Sequence, residues 1–349
     1  MNVAIVGTGV IGGSVGLAAR RRLGATVRGR GPEAPRALER GAIDVACATL
    51  REAVEDADVA FVATPLGVIE ETVDAVLAAA GADCVVSDVG STKTAVVAGR
   101  DDERFVGGHP LAGSEAAGIE HAREDLFADA VWYLTPTART SGVLYERLHR
   151  VLVGLGARPA AIDPDVHDRL MAAVSHLPHV LANVLVAQAI RAVDDGETIP
   201  ATGPSFRDAT RVAGANPALW PDILLGNRDA LLAQLDETIA RLTDVRAALA
   251  AGDRAAVTAF QEQAHAERRA LLETHLGAGP TRELRIAVAN RPGVIADVAL
   301  HLGRAGINIS DLSLAPSPDN TQGEVGVFVP EADAERACEI IDGMGLHAT

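Results

Sequence analysis

Lysine is all but missing from this sequence of 349 residues: there is one, Lys93, against thirty arginines. A chain that uses arginine almost everywhere else singles out that position as one where a compact ammonium matters. Cysteine is scarce too, and Cys47, Cys84 and Cys338 stand far apart, with none of the paired spacings that a zinc site or a redox dithiol requires. They read as reduced thiols, and no metal is expected. Positive charge is in deficit, and a formal net charge of −16 argues against a nucleic-acid partner or an anionic membrane surface. An anionic substrate must therefore meet a local positive pocket. No uninterrupted apolar run reads as long enough to span a bilayer, and the first residues, NVAIV, read as a strand rather than a leader. A cytoplasmic location without membrane attachment is the expectation.

What is present is the composition of a soluble globular chain, 48% hydrophobic and 22% charged, with enough length for two or three domains. Through about residue 162, short apolar runs at 2–6, 25–29, 58–63 and 83–89 alternate with helical periodicity, which predicts a parallel doubly wound α/β sheet. The runs VWYLT at 131–135 and RPAAI at 158–162 are expected to extend it. Residues 163–277 carry long amphipathic patterns, as at 164–194 and 227–250, and predict an all-α second domain. After the loop at 277–280, residues 281–349 read strand 282–289, helix 292–304, strands 308–315 and 323–329, and helix 331–343, a small ferredoxin-like module.

Gly7-Thr8-Gly9-Val10-Ile11-Gly12 follows the first strand and opens a helix, the context in which G-x-G-x-x-G predicts dinucleotide binding. Its glycines allow a tight turn and close approach to a pyrophosphate seated on the helix N-terminus. Thr64 and Pro65, just past the third strand, join the same cofactor set. The second strand normally ends in a carboxylate that reads the adenosine ribose, but this one carries Arg28 and Arg30 instead. NADP is therefore as admissible as NAD.

The fourth strand runs into DVGSTK at 88–93, which places Ser91 and Lys93 at the carboxyl end of the sheet, where such folds hold ligands. The segment GGHPLAGSE at 107–115 is a constrained loop holding His109 extended before Pro110, with Ser114 and Glu115 beyond. A histidine fixed beside a nicotinamide is a natural general base; a turn histidine that only caps backbone is the bland alternative. SHLPH at 175–179 puts His176 and His179 on one helix face, with Pro178 expected to kink the helix and free the carbonyl of Val174. FRDATR at 206–211 carries Arg211, able to grip a carboxylate, with Asp208 one turn before it and Trp220 further on.

In this order these segments resemble the prephenate dehydrogenase family over nearly all of residues 1–276. The resemblance implies an NAD(P)-dependent oxidative decarboxylation of prephenate on the route to tyrosine. In that reading His109 draws off the ring hydroxyl proton as hydride leaves, and Ser91 supports the same hydroxyl. Arg211, helped by Lys93, would attract the substrate dianion, and His179 and more weakly His176 would line the pocket. Glu115, Asp208 and Arg211 would form a charged group at its entrance, with Trp220 as an apolar wall and Ser114 also among the substrate-binding residues. Arogenate dehydrogenase shares fold and chemistry and is the nearest rival, while a non-catalytic NAD(P)- and amino-acid-sensing regulator is a rival of a different class. The long apolar helical region is expected to pair with a second copy as a homodimer. The C-terminal module, with Asn290, Pro292 and Gly293 before its helix and Asn308 entering its second strand, resembles an ACT domain. That likeness implies tyrosine or another amino acid as an effector, against a purely structural dimerisation role.

Overall fold

The computed structural model describes residues 1–113, 117–192, 202–276, 280–289, 298, 301–302, 305–307, 309, 311–316 and 322–348. The chain forms two compact units, Met1–Asn183 with Val212–Glu237, and Val184–Arg211 with Thr238–Thr349.

In the first unit, strands β1 (Asn2–Val6), β2 (Thr26–Arg30), β3 (Val45–Ala46), β4 (Val59–Val62) and β5 (Val85–Asp88) form one parallel sheet in the order β3-β2-β1-β4-β5. Its central strands are apolar and buried on both faces, as β4 with the sequence VAFV shows, because helices cover both sides. These helices include α1 (Val10–Leu23), α2 (Ala34–Glu39), α3 (Leu50–Val54), α4 (Ile69–Ala79), α5 (Thr94–Val97) and α6 (Gly142–Leu155). One core joins Ile5, Phe61 and Val85 to Val15, Leu148 and Leu152; another joins Val6, Val62 and Val86 to Ile69, Val73 and Val76.

The strands at 131–135 and 158–161 do not continue the parallel sheet. Strands β6 (Gly107–Pro110), β7 (Val131–Thr135) and β8 (Arg158–Ala161) form their own three-stranded sheet, in which β6 runs antiparallel to β7. Among the described residues a single parallel bridge, from Val86 to Phe105, links the two sheets. The cause is β6, a strand made of Gly-Gly-His-Pro that occupies the edge position. Gly108 lies so close to the end of β5 that an added Cβ would sit 2.6 Å from the Asp88 carbonyl oxygen and 2.7 Å from Ser87 Oγ. Only glycine fits there.

Helix α7 (Pro164–Met171) is capped by Asp163, whose side chain accepts from the N–H groups of Asp165 and Val166. It passes into α8 (Leu177–Arg191) through a π turn at Ala172–His176, where the Leu177 N–H donates to the Ala172 carbonyl, five residues back. The turn widens the helix just before Pro178, so the ring is accommodated by one extra residue per turn rather than by a break. Contrary to the expectation of no such stretch, Pro164–Arg191 is long and apolar enough, by length and composition, to cross a membrane. It nevertheless carries His167, Asp168, His176 and His179 buried within the fold, the pattern of a helix with internal polar partners.

Helices α9 (Pro204–Thr210), α10 (Trp220–Gly226), α11 (Arg228–Ala251) and α12 (Arg254–Leu276) complete the helical region. In the second unit Val184, Leu185, Ile190, Ile239, Leu242, Leu249 and Phe260 are large apolar side chains left exposed. Strands β9 (Thr281–Ala289), β10 (Asp311–Pro316), β11 (Gln322–Pro330) and β12 (His347–Ala348) form a small antiparallel sheet in the order β10-β11-β9-β12. The inward residues Leu284, Ile286 and Val288 of β9 alternate with exposed ones and pack with Ala337 and Ile341 of helix α13 (Ala334–Gly343).

Candidate active site

The glycine-rich turn has the geometry of a nucleotide cradle. Gly7 adopts φ +99°, and a Cβ there would lie 2.3 Å from the Ala63 carbonyl oxygen; one on Gly12 would lie 1.9 Å from the Gly7 carbonyl oxygen. The turn is thus folded onto itself and onto the end of β4. Helix α1 begins behind Gly9 with no side-chain cap and no acidic residue in its first turn, which leaves the dipole's positive end for an anion. Val10 and Ile11 form that first turn. The buried hydroxyls of Thr8 and Thr64 have no partner among the described residues. Two orphaned hydroxyls beside an uncapped helix fit a dinucleotide, with Pro65 continuing the same edge.

At the adenosine end the two arginines differ. Arg28 donates to the Glu52 carbonyl at 3.0 Å and pairs with Asp56 at 3.5 Å, so its charge already has a carboxylate. Arg30 is exposed at the end of β2. Three residues after that strand Glu33 brings a carboxylate to the glycine-rich turn: its Oε2 lies 3.6 Å from where a Cβ of Gly9 would be. Sequence reasoning overlooked Glu33 because it follows Gly31 and Pro32 rather than closing the strand.

Asp88, at the end of β5, organises the next loop. Its buried carboxylate accepts the Gly90 N–H at 2.8 Å and the Gly108 N–H at 3.0 Å, and forms an ion pair with Lys93 Nζ. The half-buried Ser91 is carried by this loop between Gly90 and the buried Thr92. The Lys93 result corrects the sequence expectation. Its side chain is 0% exposed and tied to Asp88, so it is a buried structural cation and does not present its charge to a substrate. Burial lowers its pKa, and the carboxylates of Asp88 and Asp168 oppose that shift.

Asp168 ties the loop to helix α7. One carboxylate oxygen accepts the Lys93 N–H and the other the Thr94 N–H, each at 2.8 Å. The first oxygen also meets His167 Nδ1 at 2.8 Å, and His167 Nε2 lies 2.9 Å from Nδ1 of His109. His167 is fully buried, with its ring edge-on to His109 and Tyr133. The half-buried His109 has a pKa well below the usual histidine value, driven first by burial and then by His167, Lys93 and His176, with Asp168 opposing. It is neutral at neutral pH and able to accept a proton.

His176 and His179 lie on the same wall. Asn227, at the start of α11, lies 3.0 Å from His176 Nδ1 and donates to the Asp168 carbonyl at 2.7 Å. His179 stacks on Trp220 with ring centroids 3.4 Å apart, and its buried Nδ1 has no partner among the described residues. His167, Asp168 and Asn227 escaped sequence reasoning because no short spacing connects them to His109. Asp208 and Arg211 belong to the second compact unit. Ser114 and Glu115 lie outside the described residues, as do Asn290, Pro292, Gly293 and Asn308. Among the described residues no group of acidic, histidine or cysteine side chains is arranged to hold a metal.

Burial lowers the pKa of His176 from 6.5 to about 4. The unfolded chain therefore takes up this proton at a higher pH than the folded one. The resulting stability is complete above pH 6.5 and is lost as pH falls from there toward about 4. The loss is on the order of 3 kcal/mol. Urea midpoints between pH 7.5 and 4.5 should fall less steeply for His176→Gln than for the wild type; parallel curves would remove His176 from the acid response.

Residues 15–160 match the family model for the nucleotide-binding domain of prephenate dehydrogenase, and residues 163–262 match the model for its dimerization domain. A prephenate dehydrogenase of Bacillus subtilis (strain 168) is 31% identical, with 99% of this chain and 97% of that protein covered. The crystal structure of prephenate dehydrogenase from A. aeolicus in complex with hydroxyphenyl propionate and NAD+ superposes with a TM-score of 0.71 at 27% identity, covering 78% of this chain and 98% of that one. That of Synechocystis arogenate dehydrogenase gives 0.67 at 31% identity, covering 77% and 99%. With both family models matched in tandem and 31% identity across nearly its whole length, the chain belongs to the prephenate dehydrogenase family.

Proposed function

We propose that this protein is an NAD(P)-dependent prephenate dehydrogenase, converting prephenate to 4-hydroxyphenylpyruvate and carbon dioxide. The observation that carries this reading is a neutral histidine, His109, held through His167 to the Asp168 carboxylate, in the same compact unit as an uncapped glycine-rich helix N-terminus. The bound nicotinamide would supply the hydride acceptor. Gly7, Gly9 and Gly12 would admit the pyrophosphate, and the Thr8 and Thr64 hydroxyls would gain partners from the same ligand. His109 takes the proton of the ring hydroxyl as the carbon beneath it gives up hydride, and Ser91 orients that hydroxyl. When the ring carboxylate leaves as carbon dioxide, the electrons of the broken bond make the ring aromatic. The oxygen then recovers its proton from His109.

The family likeness further assigns a substrate carboxylate to Arg211 and the side-chain end to His179 and Trp220. The orphaned His179 Nδ1 supports this placement, since it is a buried donor or acceptor awaiting a polar group. At the adenosine end Arg30 favours a 2′-phosphate and Glu33 favours free ribose hydroxyls, so relative rates with NADP and NAD read the balance between them. The division into a Rossmann domain at 1–162, a helical domain at 163–277 and a C-terminal module at 281–349 belongs to the same proposal. So does an ACT-type module, supported by the antiparallel sheet and packed helix, with tyrosine or another amino acid as its effector. The exposed apolar side chains of α8, α11 and α12 support a homodimer, and free cysteines support a reducing, cytoplasmic setting.

The test is nicotinamide reduction followed by absorbance in four mixtures, prephenate or arogenate each with NAD or NADP. Rapid reduction with prephenate is the expected outcome. Reduction with arogenate alone would change the substrate, and no reduction in any mixture would overturn the catalytic reading.

A further inference from the structure

The hydrogen-bond chain from Asp168 to His109 fixes more than position. Burial opposes the charge on Asp168, but hydrogen bonds from His167 and from the N–H groups of Thr94 and Lys93 outweigh it and hold the carboxyl below its usual range. An ionised carboxylate can only accept, so the hydrogen between Asp168 and His167 sits on His167 Nδ1. The contact of 2.9 Å between His167 Nε2 and His109 Nδ1 holds one hydrogen between two nitrogens. An imidazole that already donates through Nδ1 offers the lone pair of Nε2 to that contact, which places the hydrogen on His109 Nδ1. His109 is left with its hydrogen on Nδ1 and its own lone pair on Nε2.

We infer that His167 and Asp168 are positioning residues that select the Nδ1–H tautomer of His109, so that Nε2 is the atom that takes the substrate proton. Both are buried, at 0% and 3% exposure, and neither needs to touch substrate to act. Asp168 also accepts from the backbone at Lys93 and Thr94, so one carboxylate sets the tautomer of the base and anchors the loop that carries Ser91. When His109 becomes cationic, His167, Lys93 and His176 oppose the new charge, whereas Asp168 favours it. The Lys93 ammonium is already matched by Asp88, which leaves the Asp168 chain as the relay along which the imidazolium charge is stabilised.

The role of His109 in turnover rests on the proposed function; the tautomer does not. In protein labelled with 15N-histidine, His109 is identified as the imidazole lost in His109→Ala. It should show a hydrogen on Nδ1 and a bare Nε2 in the wild type. His167→Phe keeps an aromatic ring but removes both nitrogens. It should abolish that selection and lower kcat by about 100-fold, at the low end of general-base effects, with the KM for cofactor unchanged. His167→Gln, whose amide oxygen can still accept from His109 Nδ1, should restore the tautomer and much of the rate. A purely structural role would not produce that rescue of a spectroscopic signature. A wild-type His109 with hydrogen on Nε2, or an unaltered tautomer in His167→Phe, overturns the inference. Should His167→Phe not fold, the wild-type spectrum and His167→Gln still decide it. The expected tautomer without turnover of prephenate would leave this inference standing and overturn the substrate reading instead.

Discussion

His109→Ala is expected to lower kcat by about 10²–10⁴-fold while leaving dinucleotide affinity unchanged. The size of the effect follows from position. His109 lies on the glycine-rich edge strand β6, apart from the turn formed by Gly7 to Gly12, so removing its ring takes away the proton acceptor and leaves the nucleotide cradle intact. The pH dependence separates this reading from a general loss of structure. A base must be neutral to act, and burial together with His167, Lys93 and His176 keeps the His109 pKa well below 6.5. In the wild type, kcat/KM should therefore stay level as pH falls through 6.5, with its acid limb appearing only below that value. The variant's residual activity should lack this limb. Fluorescence titration with cofactor and steady-state kinetics across pH provide both readings. A folded, cofactor-binding His109→Ala protein that turns over at the wild-type rate would remove His109 from the mechanism.

Lys93→Met is expected to destabilise the first unit by about 3–5 kcal/mol, because it leaves the Asp88 carboxylate charged, buried and without its ion-pair partner. Methionine fills nearly the same volume, so the loss reports the charge rather than a cavity. Activity should fall as well, since Asp88 also holds the N–H groups of Gly90 and Gly108, which fix the Ser91 loop and the strand carrying His109. Adding Asp88→Asn should recover only part of the stability: an amide removes the stranded charge but cannot accept at both of its polar atoms. Lys93→Arg should also destabilise, because the wide guanidinium fork does not fit a fully buried slot shaped around an ammonium. Urea denaturation measures all three variants. A Lys93→Met midpoint equivalent to less than about 1 kcal/mol of loss would show that the pair is dispensable.

How much of this was legible in the sequence varies with how local the determinant is. The nucleotide turn reads directly, because its glycines, the preceding strand and the following helix are contiguous and each constrains the next. The parallel strands read for the same reason, as apolar runs buried on both faces. The sheet of β6, β7 and β8 did not, because Gly-Gly-His-Pro has almost no intrinsic strand preference and becomes a strand only where β5 and Trp132 leave a glycine-sized space. Lys93 reads from the sequence as a cation facing the substrate because its partner Asp88, in the same six-residue motif, reads as the end of a strand rather than as the other half of an ion pair. His167 and Asp168 were invisible for a different reason. They look like the polar first turn of an exposed helix, and their burial is decided by tertiary contacts with segments 58 and 75 residues away.

The π turn at Ala172–His176 is, in effect, a one-residue insertion stored inside an otherwise regular helix. Each residue of an α-helix advances the phase by about 100° and the axis by about 1.5 Å. Were the segment to close into a regular spiral with all its residues kept, everything downstream would turn by about that angle relative to His167 and Asp168. His179 would leave the face of Trp220, and His176 would leave Asn227. The wide turn thus absorbs the phase of its extra residue and keeps the half of the helix that holds the base aligned with the half that walls the pocket. Loss of one residue from it, by contrast, would let the helix close with that alignment nearly kept.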